Sequence, residues 1–197
     1  IEPNIYCQHG IIFEEVILQI YCKRTNSTVY EFGSIPDKKH SYLAASPDGI
    51  SDEGIMIEIK CPLKRKTYGL PPIYYWYQMQ QQLKVCKLNQ CDYIECKIDI
   101  YNNWDEYCED CLENDETKNK NELEKGVVIE YHNSGKTDYI YPPKISMSII
   151  DIYKWTHDIK LQLHNENKIF SRLILWKLVE YHVFSIYRNK LWWKYNI

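Results

Sequence analysis

The stretch SPDGISDEGIMIEIKCP, residues 46–62, constrains this chain more than any other. Pro47-Asp48-Gly49 is a turn signal, and the apolar run that follows alternates with a period of two. In a strand, successive side chains point to opposite faces, so Met56, Glu58 and Lys60 share one face while Ile55, Ile57 and Ile59 share the other. Glu58 and Lys60 therefore project into the same space. If Asp48, held at the end of the preceding strand by its turn, reaches that space, two carboxylates and an ammonium meet there.

Periodicity elsewhere predicts a helix over about 8–24, with Ile12, Phe13, Val16, Ile17, Ile20 and Tyr21 on one face. On a helical wheel Glu14 falls at the border of that face, and Glu15 lies with Gln19 on the opposite side. The segments TVYEFGSI, YLAASPDGI and GIMIEIKCP read as a meander of short strands. A helix over 74–86 leads into a strand over 92–100. The acidic, Asn-rich residues 109–125 read as a surface loop before a strand over 126–133. A helix over 146–165, a strand over 178–188 and an aromatic tail, LWWKY, complete the chain.

A chain of 197 residues is expected to form one domain, 1–197. The formal net charge of −3 excludes a generally basic surface, so a polyanion would have to meet a local basic patch. No run approaches the ~18 apolar residues that span a bilayer, and the N-terminus lacks the pattern of a signal peptide. The expectation is a soluble, intracellular protein without a membrane partner. Ile1 in place of an initiating Met reads as a piece of a longer chain. Eight cysteines without a secretory signal read as reduced thiols. Cys91, Cys96, Cys108 and Cys111 have a spacing that could ligate zinc or an iron–sulfur cluster. Against this, Cys96 alternates with Ile94, Ile98 and Ile100 and reads as core.

Two carboxylates and an ammonium suit a particular chemistry. Hard oxygen ligands with open positions are what Mg2+ or Mn2+ prefers, and such a metal polarises a phosphoryl oxygen while a lysine orients or deprotonates water. The set therefore fits phosphodiester hydrolysis. It equally fits a capped turn at Asp48 beside a structural Glu58–Lys60 ion pair.

SPDG, nine intervening residues from Asp48 to EIKCP, and the helix YYWYQMQQQ together resemble the lambda exonuclease, or YqaJ-type viral recombinase, branch of the PD-(D/E)XK nucleases. The likeness runs from about Cys7 to Asn133, and the ending LWKLVEYHVFSIYRNKLWW resembles members from large DNA viruses. It implies an α/β fold with a central mixed β-sheet flanked by α-helices. It also implies Asp48 and Glu58 as metal ligands with the Ile59 carbonyl, and Lys60 as the catalytic lysine. Glu14, four residues after Gly10, and Gln78 match further catalytic positions, with Tyr75 and Gln80 in support and Ser46 offering a hydroxyl to phosphate. Lys64, Arg65 and Lys66 could neutralise DNA phosphates or form ordinary solvated surface.

The implied activity is a Mg2+- or Mn2+-dependent exonuclease acting 5′ to 3′ on double-stranded DNA ends, for recombination or viral DNA processing. A ring-like homo-oligomer, in the host-cell cytoplasm or nucleus at sites of viral replication, goes with it. A structure-selective endonuclease on the same core stays open, as does a catalytically silent module that binds DNA or a host factor. Relatives usually carry an N-terminal segment with an arginine that helps to build a 5′-phosphate pocket, which is missing here. The pair Trp192-Trp193 reads as core or subunit contact more than as a base-stacking platform.

Overall fold

The computed structural model describes residues 4–67, 70–113 and 124–196. The elements run α1 (Ile5–Thr25), β1 (Val29–Tyr30), β2 (Ile35–Pro36), β3 (Ala44–Ala45), β4 (Gly49–Ser51), β5 (Met56–Lys60), α2 (Ile73–Cys86), β6 (Gln90–Ile100), α3 (Trp104–Glu113), β7 (Lys125–Asn133), β8 (Lys136–Ile140), α4 (Ile149–Asn165), β9 (Ile169–Tyr187) and α5 (Lys190–Asn196). They gather into two compact units, one of Ile1–Ile20 with Lys97–Val179 and one of Tyr21–Cys96 with Glu180–Ile197. Three elements, α1, β6 and β9, pass from one unit into the other.

In the unit holding Tyr21–Cys96 the strands form a mixed sheet. β1 is antiparallel to β4 (Val29↔Ser51), β4 is antiparallel to β5 (Gly49↔Ile57), and β5 is parallel to β6, from Met56↔Cys91 to Lys60↔Glu95. A parallel pair needs a crossover, and α2 supplies it. The helix starts after Pro72 and stops at Lys87, whose left-handed φ of 59° lets the Leu88 N–H donate to the Leu83 carbonyl at 3.0 Å. Met79 and Leu83 of α2 bury against Met56, Cys91 and Tyr93. Met56 thus fixes which face of β5 looks toward α2, and Glu58 and Lys60 share that face. β2 and β3 pair separately as a short antiparallel ribbon.

In the other unit β7 pairs antiparallel with β8 and with the first part of β9, with an irregularity at Glu130/Tyr131. Ser134 and Gly135, at φ 51° and 80°, make the tight turn of the β7–β8 hairpin. α3 and α4 pack on these strands through Tyr101, Tyr107, Val127, Ile152 and Leu175. Asn4 caps α1 by accepting from the Tyr6 and Cys7 N–H groups, and Ser148 caps α4 by accepting from Asp151.

Several expectations need correction. Residues 109–113 of the expected loop are helical, Lys125 is in β7, and 114–123 lie outside the described residues. The α3 signal was present in the spacing of Trp104, Tyr107, Cys108 and Cys111, one helical stripe, with Asn103 accepting from the Glu106 N–H at its start. Strand β8 is additional, β9 begins nine residues before the expected 178, and the aromatic tail is the helix α5.

The cysteines are free thiols. Cys91 and Cys96 are fully buried, and Cys108 and Cys111 pack in the core beneath α3. Among the described residues, no group of three or more His, Cys, Asp or Glu is placed to hold a metal ion. No helix among them is long and apolar enough to cross a membrane.

Candidate functional site

The antiparallel register of β4 and β5 brings the turn before β4 to the end of β5. The Asp48 N–H donates to the Ile57 carbonyl at 3.2 Å, and its Oδ2 accepts from the Ile59 N–H at 2.5 Å. Asp48 is therefore clamped to the strand that carries Glu58 and Lys60. Glu58 is 1% exposed. Its Oε1 accepts from the Lys60 ammonium and, at 2.8 Å, from Gln78 Nε2 on α2. Its Oε2 is buried without a hydrogen-bond partner.

Lys60 lies at 5.1 Å from the ring centre of Tyr75, so the ammonium sits between a carboxylate and an aromatic face. Burial opposes its charge, but Glu58 and Asp48 outweigh burial and hold its pKa above that of a free lysine. In this arrangement Lys60 donates to Glu58.

The structure brings together Asp48, Glu58, Ile59, Lys60, Tyr75 and Gln78. Ser46 is exposed, two residues before Asp48, and its carbonyl accepts from Gln82 Nε2 at 3.2 Å. Lys64 and Lys66 are exposed beyond β5. Arg65 is tied down, pairing with Glu95 at 2.7 Å. Gln80 is fully buried and structural, joining α2 to the chain end through the Tyr187 carbonyl and the Asn189 N–H. Trp193 donates to the Gln80 carbonyl, and Trp192 stacks on Tyr77, so the tryptophan pair packs against α2.

Glu14 belongs to the other unit, where its side chain on α1 is exposed. Glu15 is the less exposed of the two and accepts from Gln19 at 2.8 Å. The order of exposure is therefore the reverse of that expected from the helical wheel.

Glu95 was missed by sequence reasoning. It is fully buried, lies opposite Lys60 in the parallel ladder, and accepts from Arg65 and from the Tyr93 hydroxyl. The available signal was an acid flanked by Tyr93, Ile94 and Cys96 in a strand otherwise buried from Cys91 to Cys96.

The donor set fits a hard divalent cation. The Asp48 and Glu58 carboxylates both act on the Lys60 ammonium, and Glu58 keeps a buried oxygen that no protein group satisfies.

The model of the YqaJ-like viral recombinase domain matches residues 3–89, a stretch that contains this site. Over that stretch the chain is similar to the YqaJ-like viral recombinase family. Within it Asp48 stands on a turn, and Glu58 and Lys60 stand on a strand of a mixed sheet. Uncharacterized protein R354 of Acanthamoeba polyphaga mimivirus, a large DNA virus, is 32% identical to this chain over 223 residues. That alignment covers 95% of the chain, which spans 40% of the length of the mimivirus protein. Two crystal structures of LHK-Exo, an alkaline exonuclease from Laribacter hongkongensis, one of them in complex with dAMP, are 31% and 30% identical with a TM-score of 0.44. They cover 49% and 48% of this chain, which covers 52% and 51% of theirs.

Proposed function

We propose that this chain is a divalent-metal-dependent deoxyribonuclease that hydrolyses phosphodiester bonds from the ends of linear duplex DNA, 5′ to 3′, in recombination or viral DNA processing. The observation that carries the reading is Glu58, with one oxygen held by Lys60 and Gln78 and the other buried and unpartnered. The match to a viral recombinase domain supports the choice of DNA as substrate, and the direction of digestion rests on the family resemblance.

Asp48, Glu58 and the Ile59 carbonyl would hold Mg2+ or Mn2+. Such a cation supplies Lewis-acid polarisation of a phosphoryl oxygen. The protein's own groups do the positioning. The Ile59 N–H fixes Asp48, Gln78 fixes Glu58, and the Lys60 ammonium is a donor that orients water or meets phosphoryl charge.

The test is a time course on linear duplex and on closed-circular duplex of the same sequence, in Mg2+, Mn2+ or EDTA. The reading expects metal-dependent release of mononucleotides from the linear form and an intact circle. A nicked circle would favour the endonuclease alternative. No turnover in either metal would favour the binding module.

A further inference from the structure

The unit built from Ile1–Ile20 and Lys97–Val179 contains a cavity of about 390 Å3 that the carboxylate site does not use. Pockets of ~300–1,000 Å3 suit small ligands. Its walls are the rings of Tyr101 and Trp104 with Leu173 and Leu175. Trp104 is backed by Tyr107, stacked at 5.7 Å, and the Tyr101 hydroxyl is engaged by Asp110, so both rings are held in place.

A polar group lies against this apolar surface. Thr156 lines the cavity, is 7% exposed, and its Oγ1 is buried without a hydrogen-bond partner. Left unmet, that hydroxyl costs free energy, which a ligand bringing its own donor or acceptor would recover. Tyr153, Thr156, His157 and Lys160 share one side of α4, which adds a phenol, an imidazole and an ammonium to the lining.

The turn Asn102-Asn103 contributes two amides. Asn103 Oδ1 accepts from the Glu106 N–H, and Asn102 Nδ2 donates to Glu106 Oε2. These bonds use the acceptor of one amide and a donor of the other, and both residues line the cavity. Flat rings for stacking, amide and hydroxyl groups, and a cation in one lining together match a base that carries a phosphate. A purely apolar ligand would leave Thr156 unmet.

We propose that this cavity binds a nucleoside monophosphate, either free or as the terminal residue of a single strand. The base stacks on Trp104, reaches Thr156 Oγ1 with one polar edge, and directs its phosphate to Lys160. The proposal does not depend on cleavage at Asp48 and Glu58.

The test is calorimetric titration of the 197-residue chain in EDTA with dAMP, with deoxyadenosine, and with a 5′-phosphorylated single-stranded oligonucleotide. Thr156→Val keeps the shape and removes the hydroxyl. Lys160→Ala alters an exposed side chain, and Glu58→Gln serves as control. Saturable binding is expected, weakened about threefold to tenfold by Thr156→Val, as the loss of one hydrogen bond requires. Lys160→Ala should weaken dAMP but not deoxyadenosine, and Glu58→Gln should change neither. Tighter binding of the oligonucleotide than of dAMP identifies a strand terminus as the ligand, and the reverse identifies the free nucleotide. No saturable binding of any of the three overturns the proposal. So does binding that Glu58→Gln abolishes while Thr156→Val leaves it intact.

Discussion

Burying Glu58 to 1% exposure while one of its oxygens has no partner costs free energy that the packing of β5 must offset. A site built only for stability would do better with an apolar residue there. The expected consequence is that Asp48→Asn and Lys60→Ala each remove most of the cleavage rate with little loss of fold, read as single-turnover rates beside thermal unfolding curves. Each ~1.4 kcal/mol of lost transition-state stabilisation is a factor of ten in rate. Arg65 should behave in the opposite way. Its partner Glu95 is fully buried, so Arg65→Ala leaves a buried charge poorly compensated and should cost on the order of 3 kcal/mol in urea unfolding. A variant as stable as wild type would return Arg65 to the solvated surface.

At the scale of elements, Asp110 ties α3 to the start of β7. It accepts from the Tyr101 hydroxyl and pairs with Lys125 at 3.2 Å. Burial works against its charge, but those two partners outweigh it and hold the carboxyl below its ordinary range. A carboxylate with a lowered folded pKa stabilises the fold above its unfolded value of about 3.9, and that contribution is lost as pH falls through the lower folded value. Asp110→Asn should therefore be less stable than wild type near neutrality, with the gap closing in acid. A gap that stays the same from neutral pH down into acid would refute the assignment.

The legible elements were those whose burial follows one period. The helix α2 and the strand β5 qualify, because Met79 and Leu83 on one and Met56 on the other meet in one cluster. The helix α3 was obscured by its acidic surface, since Glu109 and Asp110 opened the stretch read as loop although Trp104, Tyr107, Cys108 and Cys111 form a stripe. Of the site, Asp48, Glu58 and Lys60 were legible because turn chemistry and strand alternation are local. Glu95 was not, because its burial depends on Arg65 and Tyr93, which only the folded chain brings to it.

For the molecule as a whole, a net charge of −3 means that any attraction to the proposed DNA substrate has to be local. Lys64 and Lys66 are exposed beside the site, whereas Arg65 is committed to Glu95. Replacing both lysines by Gln should weaken DNA binding and flatten its salt dependence by up to about 0.9 log unit for each phosphate that is no longer neutralised. An unchanged slope would show that neither touches phosphate. The most direct measurement of the central claim is the single-turnover rate on an end-labelled linear duplex in Mg2+, for wild type and for Glu58→Gln, with folding of the variant checked by urea unfolding. The account predicts a folded variant whose rate falls by roughly a thousandfold or more, since Lewis-acid stabilisation is worth several kcal/mol. A folded Glu58→Gln that cleaves at the wild-type rate would contradict it.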